Sequence, residues 1–387
     1  MGLSCATPSN RACAEPWAIT PKLGFAGEYS SNPLLRNTDF AAEDHVASLI
    51  DLPLTYDTDG LDFSLRPNGR LSDSRGYSSL ASNYVHVDSA LQVTQDRQSF
   101  SLQSNLAREA SLYDIGSASA GAGVRRDSEA LSGDWTRALS ERTTLQFDGS
   151  WSRLLYDRPS GDLGALAGLV DYKYWSAGPT LSYAVTELTS VNLNGSASDY
   201  ASLDGITNSR SQSLQAGFIS QLTELWQLTA SAGYSRTQDR QKVFLGPYYL
   251  GTEQSNPSSA VYVLNLARQG ETVNLSASAS RSLQPVGVSF LSRRDSVTFN
   301  ARYNLDERWD FAAGGAWERD AELVVGQAVA NRRYLTAQLA ANWHWTEKWT
   351  VSLQATRAAL TFGPPRYDAG ANGVNLNFSR QFARTDL

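Results

Sequence analysis

The chain has little of what most functional classes require. Nowhere do the roughly eighteen successive apolar residues of a membrane-spanning helix occur. There are 2 cysteines, Cys5 and Cys13, both at the extreme N-terminus. Arg11–Glu15 reads as the end of a secretory signal, with Ala12 and Ala14 as the small residues of the cleavage site. On that reading residues 1–14 are a signal remnant and residues 15–387 a single domain. The mature chain then has no thiol, so disulfides, thiol catalysis and cysteine metal sites are excluded. There are only 3 histidines, His45, His86 and His344, and neither G-x-S-x-G nor H-E-x-x-H occurs. No catalytic residue, metal ligand or cofactor is expected. Catalysis would need an inward cluster of reactive His, Ser and Asp in the folded chain. The net charge of −6 has no Lys/Arg cluster behind it, so no nucleic-acid partner is expected. No linker or shift in composition divides the chain, although its length would suit two or three soluble domains.

What is present is alternation. Val273, Leu275, Ala277 and Ala279 interleave with Asn274, Ser276, Ser278 and Ser280. Leu145, Phe147, Gly149 and Trp151 interleave with Thr144, Gln146, Asp148 and Ser150, and Trp349, Val351, Leu353 and Ala355 with Thr350, Ser352, Gln354 and Thr356. A period of two puts one set on each face of a strand. The apolar sets are rich in Ala and Gly. The runs are far longer than the five or so residues usual in globular strands, and long enough to cross a bilayer when tilted.

The connections alternate between short and long. Short turns recur in related forms: Leu139–Arg142, Val185–Leu188, Leu222–Leu225, Leu305–Arg308 and Trp345–Lys348. Longer Gly/Pro/Asn/Ser-rich stretches intervene at Ser31–Glu43, Tyr156–Gly168, Lys242–Asn256 and Gly363–Gly370. Short turns on one rim and long loops on the other are the layout of outer-membrane barrels. The expected fold is therefore an all-β, closed antiparallel transmembrane barrel in a bacterial outer membrane. Eighteen strands can be counted, or sixteen if a weak pair merges.

Three residue sets follow from the strand phase. Trp226, Trp309, Trp345 and Trp349, beside the short turns, are expected in an interfacial aromatic girdle. Arg66, Arg70, Arg126, Arg294, Arg302 and Arg332, against Asp88, Glu109, Asp134, Asp148, Asp310 and Glu318, are expected to face the lumen. There they form either a solvated wall or a selectivity lining. Their signs nearly balance, so neither anions nor cations are favoured. The last strand, Gly373–Phe382, alternates through Leu376 and Phe378 and ends on an aromatic, resembling the signal by which barrel-insertion machinery recognises its clients. Five residues follow it.

Two segments carry a family resemblance. One is Leu23–Leu35. The other runs from Ser280 to Gly287 and through Arg293–Ser296 to the turn Leu305–Trp309. Together they resemble β-barrel porins associated with exopolysaccharide and exosortase gene clusters. The layout is also similar to the eighteen-stranded alginate-export barrel, whose arginine-lined constriction has no residue-by-residue match here. The resemblance implies a passive channel for secreted polysaccharide, working with outer-membrane lipids and polysaccharide-secretion components. General solute passage, or a closed surface barrel serving as adhesin or scaffold, are the other readings.

Overall fold

The alternating segments fold as strands in the computed structural model. It describes residues 17–33, 35, 37, 42–73, 83–111, 124–157, 170–245, 248–286, 290–321, 332–363 and 367–386. In chain order the strands are β1 (Trp17–Ile19), β2 (Lys22–Ser30), β3 (Glu43–Asp51), β4 (Leu54–Thr58), β5 (Leu61–Asp73), β6 (Tyr84–Gln95), β7 (Gln98–Ser111), β8 (Val124–Ala138), β9 (Thr143–Tyr156), β10 (Tyr172–Ala184) and β11 (Thr189–Ser202). They continue as β12 (Thr207–Gln221), β13 (Trp226–Leu245), β14 (Tyr248–Ser255), β15 (Ser258–Arg268), β16 (Val273–Val286), β17 (Phe290–Asn304), β18 (Trp309–Ala321), β19 (Arg332–His344), β20 (Trp349–Phe362), β21 (Tyr367–Gln381) and β22 (Thr385–Asp386).

Successive staves of the wall pair antiparallel, and β21 pairs with β2 to close the sheet. Three pairs of segments, β1/β2, β3/β4 and β14/β15, each form one interrupted stave. With β22 outside the wall, the barrel has eighteen staves. Every interruption holds a proline, Pro21, Pro53 or Pro257, which has no N–H to give the ladder. The prolines still accept: Phe382 N–H bonds to the Pro21 carbonyl, Thr20 N–H to Pro53 and Thr237 N–H to Pro257.

The short turns share one device. Their second residue is Ser, Thr or Asp, whose side-chain oxygen accepts backbone N–H groups further along the turn. Ser140 Oγ accepts from Arg142 and Thr143, Thr223 Oγ1 from Leu225 and Trp226, Asp306 Oδ1 from Arg308 and Trp309, and Thr346 Oγ1 from Lys348 and Trp349.

Two expectations about loops are corrected. Lys242–Asn256 is not a loop: β13 continues to Leu245, and β14 pairs back on it as a hairpin rising above the neighbouring staves. Gly363–Gly370 is a loop only in part, because β21 already begins at Tyr367. Short and long connections also do not alternate strictly. On the loop rim β11 and β12 are joined by a turn of four residues, 203–206.

The outer face is apolar and bare, as shown by exposed Phe25, Val46, Leu106, Leu193, Leu214, Val297, Leu335, Leu339, Leu353 and Leu376. In water so wide an exposed apolar belt would drive aggregation, whereas in lipid it is the satisfied state. Toward the turn rim the belt ends in stacked aromatics. Trp309 stacks on Phe311 and Trp343, and Trp343 on Trp345. Trp349 stacks on Phe378, under the guanidinium of Arg380. This is a transmembrane β-barrel of the bacterial outer membrane.

Candidate functional site: the inner wall

Register decides which side chains face inward. Ladder partners share a face, and residues two apart along a strand share it too. The exposed apolar side chains mark the outside, so the opposite phase lines the lumen. All nine charged residues Arg66, Arg70, Arg126, Asp134, Asp148, Arg294, Arg302, Asp310 and Glu318 fall in that inward phase, as do Asp88, Glu109 and Arg332.

The charges form two stripes, one on β2–β9 and one on β17–β19. Between them the inward faces of β10–β13, β15 and β16 carry a single charge, Asp239, and β20 and β21 carry none.

In the first stripe Glu28 binds Arg70 at 2.5 Å and His45 at 2.9 Å, and also accepts from Asn375 across the closing strand pair. Arg66 makes a two-pronged contact with Asp51, both bonds at 2.7 Å. Glu109 is shared by Arg126 at 2.6 Å and His86 at 3.1 Å. Asp88 accepts from Asn68 and Asn105. Asp134 and Asp148 stand opposite each other in register, and Ser101 donates to Asp134.

In the second stripe Asp320 is the hub. It binds Arg294 at 2.7 Å and Arg332 at 2.8 Å, while Glu318 lies 3.7 Å from Arg294. Nearer the turn rim, Asp310 accepts from Asn342 at 2.7 Å and lies 2.9 Å from His344 and 3.6 Å from Arg302. The arginines of the two stripes are therefore neutralised in place, while Asp134 and Asp148 face each other with no cationic partner among the described residues. Of the ion-paired inward arginines, Arg66 and Arg302 keep the most exposure, with 56% and 60% of their side chains accessible. Strand phase alone did not single out Glu28, Asp51 or Asp320. Their role comes from which stave lies next to which, and no local signal in the sequence reports that.

His344 bridges Asp310 at Nε2 and Thr350 Oγ1 at 3.2 Å from Nδ1, a Thr–His–Asp chain in outline. Thr350 is the regular cross-strand partner of His344 in the β19/β20 ladder. It is not set on a sharp strained turn of the kind that thrusts out a nucleophile. The chain reads as ladder chemistry that fixes the wall.

Two further features were not legible beforehand. First, the lumen is pinched. Cα atoms of β11 and β12 come within 8 Å of those of β17. The inward residues there are small hydroxyls, with Ser209, Ser211, Ser235, Thr237 and Ser292 all buried together with Tyr200. Ser211 and Ser235 hydrogen-bond each other at 2.9 Å. Second, the inner wall holds a groove along β16–β20. Two cavities of about 820 and 620 Å³, the larger at the turn rim and the smaller above it, meet at Asn300 and Gln338. Ser276, Asn300, Gly314, Gln338 and Thr356 form one ladder row across it. A Cβ on Gly314 would lie 2.9 Å from Gln338 Nε2 and 3.2 Å from Asn300 Oδ1, so both amides converge over the glycine.

Among the remaining sequence-derived residues, Trp226, Trp309 and Trp349 begin strands at the turn rim and Trp345 lies in a turn there. Leu376 and Phe378 point outward, Gly373 inward, and Phe382 follows the last wall strand. The residues beyond it do not trail free, because β22 pairs with β1. The proposed signal remnant lies outside the described residues.

No family model and no curated protein matches the chain. Among solved structures it is similar to the ferric citrate transporter FecA at 10% identity, covering 96% of this chain and 79% of that one, with a TM-score of 0.47. It is similar to OccAB4 of Acinetobacter baumannii at 11% identity, covering 96% and 100%, with a TM-score of 0.45. It is also similar to OpdL of Pseudomonas aeruginosa at 14% identity, covering 94% and 99%, with a TM-score of 0.44.

Proposed function

We propose that the barrel is an outer-membrane channel for a polar, largely uncharged solute, with secreted exopolysaccharide as its cargo. The observation that carries this reading is the groove along β16–β20. It runs from the turn rim past Asn300 and Gln338, offers amides and hydroxyls, and has no unpaired charge in its central row. Such a surface exchanges hydrogen bonds with a hydroxylated chain without holding it by strong ionic contacts, which suits passage.

The test is a clean deletion, with polysaccharide quantified separately in the medium and the periplasm. Loss outside with accumulation inside is expected. Unchanged export would overturn the cargo assignment and leave general solute passage. The pinch between β11/β12 and β17 favours a second reading, a closed barrel acting through its loops. Single-channel conductance of the purified barrel separates the two.

A further inference from the structure

Just beyond the apolar belt toward the loop rim, the outer face carries a compact basic patch. Arg281 on β16, Asp295 on β17, Arg319 on β18 and Arg333 on β19 are successive partners in one ladder row. Arg293 stands two residues further along β17. All five fall in the outward phase. Asp295 is committed to Arg281, at 2.5 Å, and Arg281 also lies over the Tyr262 ring. Among the described residues no carboxylate pairs with Arg293, Arg319 or Arg333. With no carboxylate beside them, these three guanidinium groups leave a net positive charge on the lipid-facing wall for an acceptor from outside the chain. Directly below them, on the same face, lie Val297, Trp317 and Leu335, with Val297 and Leu335 about half exposed.

We infer that this patch binds the phosphate of a membrane lipid in the leaflet at the loop rim. Planar guanidinium groups match phosphate oxygens in two-pronged fashion. The position selects a lipid over a soluble anion. The arginines project from the lipid-facing wall at headgroup level, and the apolar residues beneath them are where the acyl chains of the same molecule would lie. The site is independent of what the lumen carries.

The experiment uses the purified full barrel in detergent, unfolded thermally and read by the gel mobility difference between folded and unfolded forms. The probes are diphosphoryl lipid A, the same lipid without phosphates, and inorganic phosphate. Diphosphoryl lipid A is expected to raise the unfolding temperature saturably, and the apparent affinity to fall about fivefold for each arginine removed in Arg319→Gln and Arg333→Gln. Arg333 is exposed, so Arg333→Gln alone keeps the test valid if the double variant does not fold. Equal stabilisation by the dephosphorylated lipid, or unchanged affinity in the variants, would overturn the site. Equal stabilisation by inorganic phosphate would overturn its assignment to a lipid.

Discussion

At the scale of single residues, the inner wall is governed by compensation. Asp310 is 5% exposed and holds Asn342, His344 and Arg302 together. Arg302 and His344 stay open to water, so Asp310→Ala chiefly leaves Asn342 without its acceptor and is expected to cost about 1 kcal/mol in urea unfolding. Thr350→Val tests the other end of the same chain. It should leave conductance and export unchanged, and a specific loss of function in a stably folded Thr350→Val barrel would reopen a chemical role for His344. The inward phase of every charge could be read from the alternation, because a period of two fixes side-chain direction. Which charge meets which could not. Glu28 reaches Arg70 on β5 and Asn375 on β21 only because β2 closes the sheet between those strands.

At the scale of elements, turn chemistry and prolines set the limits of each strand. The recurring Ser, Thr or Asp at the second turn position made the turn rim legible, and the same side chains are seen accepting the turn N–H groups. The β13/β14 hairpin was hidden for the opposite reason. Pro247, Gly251, Asn256 and Pro257 are turn-forming residues, and their density resembles a loop. Long-range pairing on β13 overrides it. The close approach of β13 to β12 below the pinch depends on glycine. A Cβ at Gly233 would lie 2.0 Å from the Leu214 carbonyl oxygen and 2.6 Å from Gln215 Cα, backbone atoms with no freedom to yield. Gly233→Ala is expected to lower the folded fraction markedly in the gel mobility assay. Gly314→Ala, whose Cβ meets only the movable ends of Gln338 and Asn300, is expected to fold normally.

At the scale of the whole molecule, the sequence pattern predicts a closed wall but not its cross-section. Strand number, phase and rim assignment all follow from local periodicity. The approach of β11 and β12 to β17 arises from curvature summed over many staves, and the one hint of it is the run of small hydroxyl residues on the inward face of β11–β13. Replacing Ser209 with Phe should wedge that approach open. Planar-bilayer recordings are expected to show a higher unitary conductance for the Ser209→Phe barrel than for the parent chain. An unchanged value would mean that current does not depend on the pinch.

The pinch also separates two quantities that strand number usually ties together. A ring of eighteen staves has a perimeter fixed by the spacing of its strands, and that perimeter sets how many lipids surround it. A loop of fixed perimeter encloses its greatest area as a circle and loses area as opposite sides draw together. This barrel is therefore ringed by as many lipids as a round one of its strand number while offering a narrower bore. Its sieving limit for solutes is that of a smaller ring.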